Sequence, residues 1–133
     1  MGSVAVFYFD KTGAMAKPWV NAGYDCFIVD VQHPPAYKTG GITSEGRLHK
    51  VKADLSRVWL PPADRSEIAF FAAFPPCDHL AVCGAKWFKG KGLRLLASSI
   101  NMFASAAEFA DWCCAPYLIE NPVSNISSHW RKP

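Results

Sequence analysis

Val4-Ala5-Val6-Phe7-Tyr8-Phe9 is apolar without interruption and stops at Asp10-Lys11-Thr12-Gly13. Such a run is too short for a helix and reads as a buried strand, and the Asp-Lys-Thr-Gly segment reads as the turn that ends it. Working outward, a brief helix is expected near Met15 to Ala22, with Pro18 in its first turn or kinking it and Gly23 as terminator. Cys26–Val31 is a second buried strand, closed by Asp30 and the Gln32-His33-Pro34-Pro35 turn. Residues 34–47, with two prolines and three glycines, read as an exposed loop.

His49–Ala53 reads as a third strand closed by Asp54, and its Lys50 and Lys52 flanking Val51 mark it as an edge strand. Ile68–Phe74 is the clearest buried strand and runs into Pro75-Pro76-Cys77. Residues 78–92 read as a loop. Leu93–Cys114 is the one long helix expected, with Leu96, Ile100, Phe103, Ala107 and Ala110 at helical spacing and Pro116 beyond its end. Tyr117–Glu120 is a fifth strand, followed by an irregular tail from Asn121 to Pro133.

Strands separated by helical or loop crossovers imply a parallel α/β sheet. In such sheets functional residues gather at the carboxyl ends of the strands. Asp10, Asp30, Asp54, Cys77 and Glu120 all stand at such ends or just past them. That shared position is the first functional signal.

At 133 residues the chain has room for one domain. Half of it is apolar and 19% charged, a globular composition rather than a disordered one. No apolar run approaches the roughly 18 residues of a membrane span. The segment before Asp10 lacks the basic start of a secretory signal, so a cytoplasmic location is expected. Five cysteines (Cys26, Cys77, Cys83, Cys113, Cys114) are then expected as reduced thiols. The net charge of +3 is too modest to announce a nucleic-acid partner by itself. Cys77, His79 and Cys83 have zinc-compatible side chains, but their spacing fits no common structural zinc motif, and no metal is expected.

Two residues are candidates for chemistry, set against the plainer readings of a buried structural cysteine and an exposed strand-end glutamate. Cys77 follows two prolines at a strand end, so a stiff backbone aims its thiol reproducibly, and as a thiolate it is a strong nucleophile. Glu120 ends an apolar strand, the setting that raises a carboxyl group into the proton-donating range. The Phe9–Gly13 corner and Asp30 suit a nucleotide-type cofactor, the acid bonding a ribose hydroxyl.

Together these pieces resemble the catalytic core of the DNA cytosine-C5 methyltransferases, in particular compact phage-type members. The matching stretches are Phe9–Gly13, Asp30, Ala53-Asp54-Leu55, Pro75-Pro76-Cys77 and Glu120-Asn121-Pro122-Val123, in the family's order and over about the whole chain. The resemblance implies a Rossmann-like sheet of five parallel strands in the order 3-2-1-4-5, with S-adenosylmethionine as cofactor. It implies that Cys77 attacks cytosine C6 and that Glu120 contacts N3 and the exocyclic amine of a base rotated out of the duplex. Phe9, Asp10, Thr12, Gly13 and Pro75 would line the cofactor, with Asp30 on the ribose and Asp54 on the adenine amine. DNA is the implied partner, with Lys86, Lys89, Lys91 and Arg94 on phosphate. The cell compartment would be the cytoplasm of a phage host.

Three features depart from the family pattern. Lys11 stands where the first glycine of the cofactor turn belongs, and Asp78 replaces the usual glutamine after the nucleophile. The family's arginine motif, target-recognition region and C-terminal helix have no counterpart before Pro133. The expectation is therefore an uncovered Tyr117–Glu120 edge, met by a homodimer or a second polypeptide. The alternative function is a methyltransferase-fold binding module without catalysis, or one part of a split enzyme.

Overall fold

The computed structural model describes residues 2–76 and 88–120, with backbone alone at 88–93, 95 and 96. Val4–Tyr8 forms β1, and all five of its side chains are buried, as an uninterrupted apolar run in a central strand requires. Asp25–Val29 is β2, Ile42–Glu45 β3, Leu48–Val51 β4, Ile68–Ala73 β5 and Tyr117–Ile119 β6. They make one sheet in the order β3-β4-β2-β1-β5-β6. Every pairing is parallel except that of β3 with β4. The architecture is thus α/β with a mostly parallel, mixed sheet.

Two helices are described. Lys17–Asn21 (α1) carries its proline in the first turn, where the missing N–H has no helical partner to lose. Phe88–Cys113 (α2) connects β5 to β6. Its C-terminal side ends at Cys114, which takes a left-handed conformation (φ 55°) ahead of Pro116.

Strand alternation sorts the core onto two faces. Val4, Val6, Tyr8, Phe27, Val29, Val51, Phe71 and Ala73 pack with Ala106, Phe109, Ala110 and Cys113 of α2. Ala5, Phe7, Cys26, Ile28 and Ala72 point the other way, covered by Ala16, Met15, Trp19 and Val20 in and before α1. Trp19 stacks on Phe70 there, with ring centroids 4.7 Å apart.

Five expectations need correction. The 34–47 segment is not wholly a loop: Ile42–Glu45 pairs antiparallel with β4 through a hairpin whose turn holds Gly46 at φ 61°. A two-residue hairpin turn demands such a left-handed residue, and glycine takes it without strain. Among the described residues the sheet consequently has six strands and is not all parallel, and its order differs from 3-2-1-4-5 by the strand added outside β4. The third expected strand is for the same reason interior, its lysines notwithstanding. The long helix begins at Phe88 rather than Leu93, so Lys89 and Lys91 lie on helical backbone instead of a loop. Its buried stripe runs through Ser99, Phe103, Ala106, Ala110 and Cys113, while Ile100 is 44% exposed. Phe103, Ala107 and Ala110 are buried as expected, and Ile100 falls on the outer margin of the stripe.

Candidate functional site

Parallel pairing brings the strand ends to one edge of the sheet, and backbone hydrogen bonds hold them in a row. The Asp30 amide donates to the Val51 carbonyl at 3.0 Å. The Phe9 and Asp10 amides both donate to the Val29 carbonyl, at 2.8 and 3.3 Å. The Phe74 amide donates to Tyr8 (3.1 Å) and the Glu120 amide to Ala73 (3.0 Å). Asp30, Asp10, Phe74 and Glu120 therefore succeed one another along the edge, with Pro75 beside Phe74. Asp54 lies three residues past β4. Cys77, Asp78, His79, Cys83, Lys86 and the Asn121–Pro133 tail lie outside the described residues.

The Phe9–Gly13 corner is internally tied. Asp10 is buried, and its Oδ1 accepts the Gly13 amide at 2.8 Å. Thr12 Oγ1 accepts the Ala14 amide at 3.3 Å. Phe9 holds φ 59°, a left-handed conformation that costs a side-chain-bearing residue roughly 1–2 kcal/mol. The two amide bonds to Val29 over-determine it. Gly13 has φ 75°, and a Cβ there would lie 3.3 Å from Ile28 Cδ1. The turn and the core account for this glycine without a ligand. Lys11 is exposed.

The sequence does not point to His33 as a site residue. It is buried at 3% exposure, and its Nε2 sits 2.8 Å from the Asp10 carbonyl oxygen. A carbonyl only accepts, so Nε2 carries the proton. The imidazole thereby clasps the turn after β2 to the turn after β1. A histidine between glutamine and two prolines carries no local pattern that announces this.

Asp30 is half-buried and Asp54 exposed. Asp30 Oδ1 accepts the Gln32 amide at 2.8 Å and Asp54 Oδ1 the Ser56 amide at 2.9 Å. The Ser56 amide, then its hydroxyl, with Arg57 nearby, hold the Asp54 carboxyl below the usual carboxylate range. Lys52 Nζ donates to the Val31 carbonyl at 2.5 Å. Lys52, Pro35, Ala36, Tyr37, Gly40 and Gly41 line an open depression of about 280 Å³. Tyr37, 93% exposed, stands at its rim.

Glu120 is exposed rather than enclosed among the described residues, so the burial expected to raise its carboxyl is not seen there. Arg94 is exposed on α2, and Lys89 and Lys91 occupy its first turn.

Compared with family models, curated proteins and solved structures, the chain matches none of them. Among the described residues no helix is long and apolar enough to cross a membrane.

Proposed function

We propose that this chain is a nucleoside-cofactor-binding α/β core of the DNA cytosine-C5 methyltransferase type. The observation that carries the reading is the meeting of two motif segments at the switch point of the sheet. From β1 the order runs to β2 on one side and to β5 on the other. In open α/β sheets ligands bind in the crevice outside such a point, at the carboxyl ends. The segments flanking it are Phe9–Gly13 and Phe74–Pro76, joined by the bond from the Phe74 amide to Tyr8.

The residues fit the nucleoside end of S-adenosylmethionine better than its methionine end. Asp30 and Asp54 each have one oxygen bonded to a nearby amide, and a carboxylate has acceptor capacity beyond one bond. They suit ribose hydroxyls and an exocyclic amine. At the Phe9–Gly13 turn the Gly13 and Ala14 amides are already engaged. When bound, the cofactor supplies the electrophilic methyl group. Cys77 would bond to cytosine C6, Glu120 would hold the ring nitrogen side of the base, and Lys86, Lys89, Lys91 and Arg94 would meet phosphate.

The internal satisfaction of the turn favours the second reading, a methyltransferase-fold binding module without catalysis. Calorimetric titration with S-adenosylhomocysteine, alongside Asp30→Ala, tests the cofactor site. Saturable binding that the variant loses supports it; no binding by the folded wild-type chain removes it. Covalent trapping on 5-fluorocytosine DNA, lost in Cys77→Ser, separates the enzyme from the binding module. Light scattering at micromolar concentration tests the homodimer proposed to cover β6, whose Tyr117 and Leu118 are 39% and 46% exposed. A monomer would count against it.

A further inference from the structure

At the opposite end of β2 three side chains form a continuous hydrogen-bonded chain. Ser44 and His49 are cross-strand partners in the β3–β4 hairpin, so their side chains emerge side by side on one face. Ser44 Oγ lies 2.7 Å from His49 Nδ1. His49 Nε2 lies 3.2 Å from Oδ1 of Asp25, the first residue of β2. Parallel pairing sets His49 against Phe27, and the two rings stack with centroids 4.7 Å apart, which fixes the imidazole plane. Arg47 NH1 holds the second Asp25 oxygen at 3.4 Å.

The chemistry assigns the protons. An ionised carboxylate only accepts, so in the neutral ring Nε2 carries the hydrogen and Nδ1 is the acceptor. Ser44 must then be the donor to Nδ1. A hydroxyl donating to an imidazole that a carboxylate orients is the arrangement of an activated nucleophile. Ser44 is exposed on its strand, whereas His49 is only 17% exposed and Asp25 39%. The hydroxyl and part of the Asp25 carboxylate are thus open to solvent, while the imidazole between them is largely enclosed.

We propose that Ser44 is a nucleophile for small activated acyl or phosphyl donors, with His49 as its general base and Asp25 as the orienting group. With an ester, the Ser44 Oγ–carbonyl bond forms as the Oγ proton passes to His49 Nδ1. The bond to the leaving alkoxide then breaks, and that alkoxide takes the proton. Water, deprotonated by the same nitrogen, releases the acid and restores the hydroxyl. The site lies on an open face, so substrates are small and turnover slow; adduct formation is the informative readout. It is independent of the cofactor reading, which concerns the carboxyl edge of the sheet.

The test is labelling of the full chain with diisopropyl fluorophosphate, followed by peptide mass spectrometry. Here the Oγ–phosphorus bond forms, fluoride leaves, and the proton goes to His49. This probe favours activated serines over the thiols of the chain. The adduct is expected on Ser44, roughly 100-fold faster than in urea-denatured chain. His49→Gln should slow it by a similar factor, and Asp25→Asn should slow it less. Ser44→Ala, on an exposed edge strand, must lose the adduct, and both it and His49→Gln must keep the wild-type thermal transition, which excludes loss of fold as the cause. Among the described residues His49 is bonded to Ser44 and Asp25 and stacked on Phe27, with Arg47 on the other Asp25 oxygen. Labelling of Ser44 no faster than in the denatured chain, or as fast without His49, overturns the proposal.

Discussion

The Tyr8 hydroxyl bridges both backbone groups of Trp59: it donates to the Trp59 carbonyl at 2.5 Å and accepts the Trp59 amide at 2.9 Å. Fifty-one positions separate the two residues. The pair pins the long connection between β4 and β5 against the face of the sheet that α2 covers. Tyr8 also meets Phe71 and Phe109 edge-on or tilted, at 5.0 and 5.1 Å between ring centroids. Its ring serves the core and its hydroxyl fastens the loop.

Tyr8→Phe keeps the ring and removes both bonds to Trp59. Leaving partly buried backbone groups without partners costs about 1–3 kcal/mol. The urea midpoint should fall by a corresponding amount with the slope unchanged. An unchanged midpoint would mean that water replaces the hydroxyl at no cost.

Phe109→Ala should be among the most damaging substitutions. Phe109 is fully buried and lies 4.5 Å from the Phe71 ring and 5.5 Å from that of Trp112. Removing such a side chain costs about 3–5 kcal/mol, a large share of the stability of a single domain. Ile100→Ala, on the exposed side of the same helix, should change stability by no more than about 0.5 kcal/mol. Thermal unfolding of both variants checks the stripe; equal losses would contradict it.

Alkaline pH should destabilise the fold through its buried acids, Cys26 and Tyr8 among them. Burial, with the Asp25 charge adding, pushes the Cys26 thiol from 9.0 up to about 12. Burial also raises the Tyr8 hydroxyl well above its ordinary value of 10.0. Both groups bind their protons more tightly folded than unfolded. Their stabilising contribution is whole below the unfolded pKa and is lost as pH rises through the folded one. Urea midpoints should therefore fall between about pH 9 and pH 12, and Cys26→Ala should flatten the first part of that decline. A midpoint constant across this range would refute the assignment.

Asp54 acts in the opposite direction. The Ser56 amide and hydroxyl lower its carboxyl pKa on folding, so its contribution is whole above the unfolded value and disappears as pH falls through the folded one. The group is exposed and well screened, so the stability effect is small. A carbon-detected titration should find its midpoint below that of an unstructured aspartate, and Ser56→Ala should raise it part of the way back. An unshifted midpoint would show that the Asx turn does not persist in solution.

The lesson from β3 is specific. Ile42-Thr43-Ser44-Glu45 is short and mostly polar, flanked by glycines, and its local pattern does not separate it from a loop. Only pairing with β4 makes it a strand. The helical stripe was misread at Ile100 for a related reason. Apolar residues at helical spacing outnumber those the sheet covers, and α2, at 26 residues, is about 39 Å long against roughly 20 Å for β5.

By itself the sequence determined β1, β2, β5 and the sides of the turns that close them. Long apolar runs ended by Asp, Gly or Pro encode burial locally, and parallel pairing then carries Asp10, Asp30, Phe74 and Glu120 to one edge. Tertiary structure alone decided the His33–Asp10 clasp, the Tyr8–Trp59 bridge and the Ser44–His49–Asp25 chain. The bonds that reach across strands there span 23, 51 and 24 positions. Polar partners so far apart leave no periodicity in the chain; they meet only after hydrophobic burial has set the register of the strands that carry them.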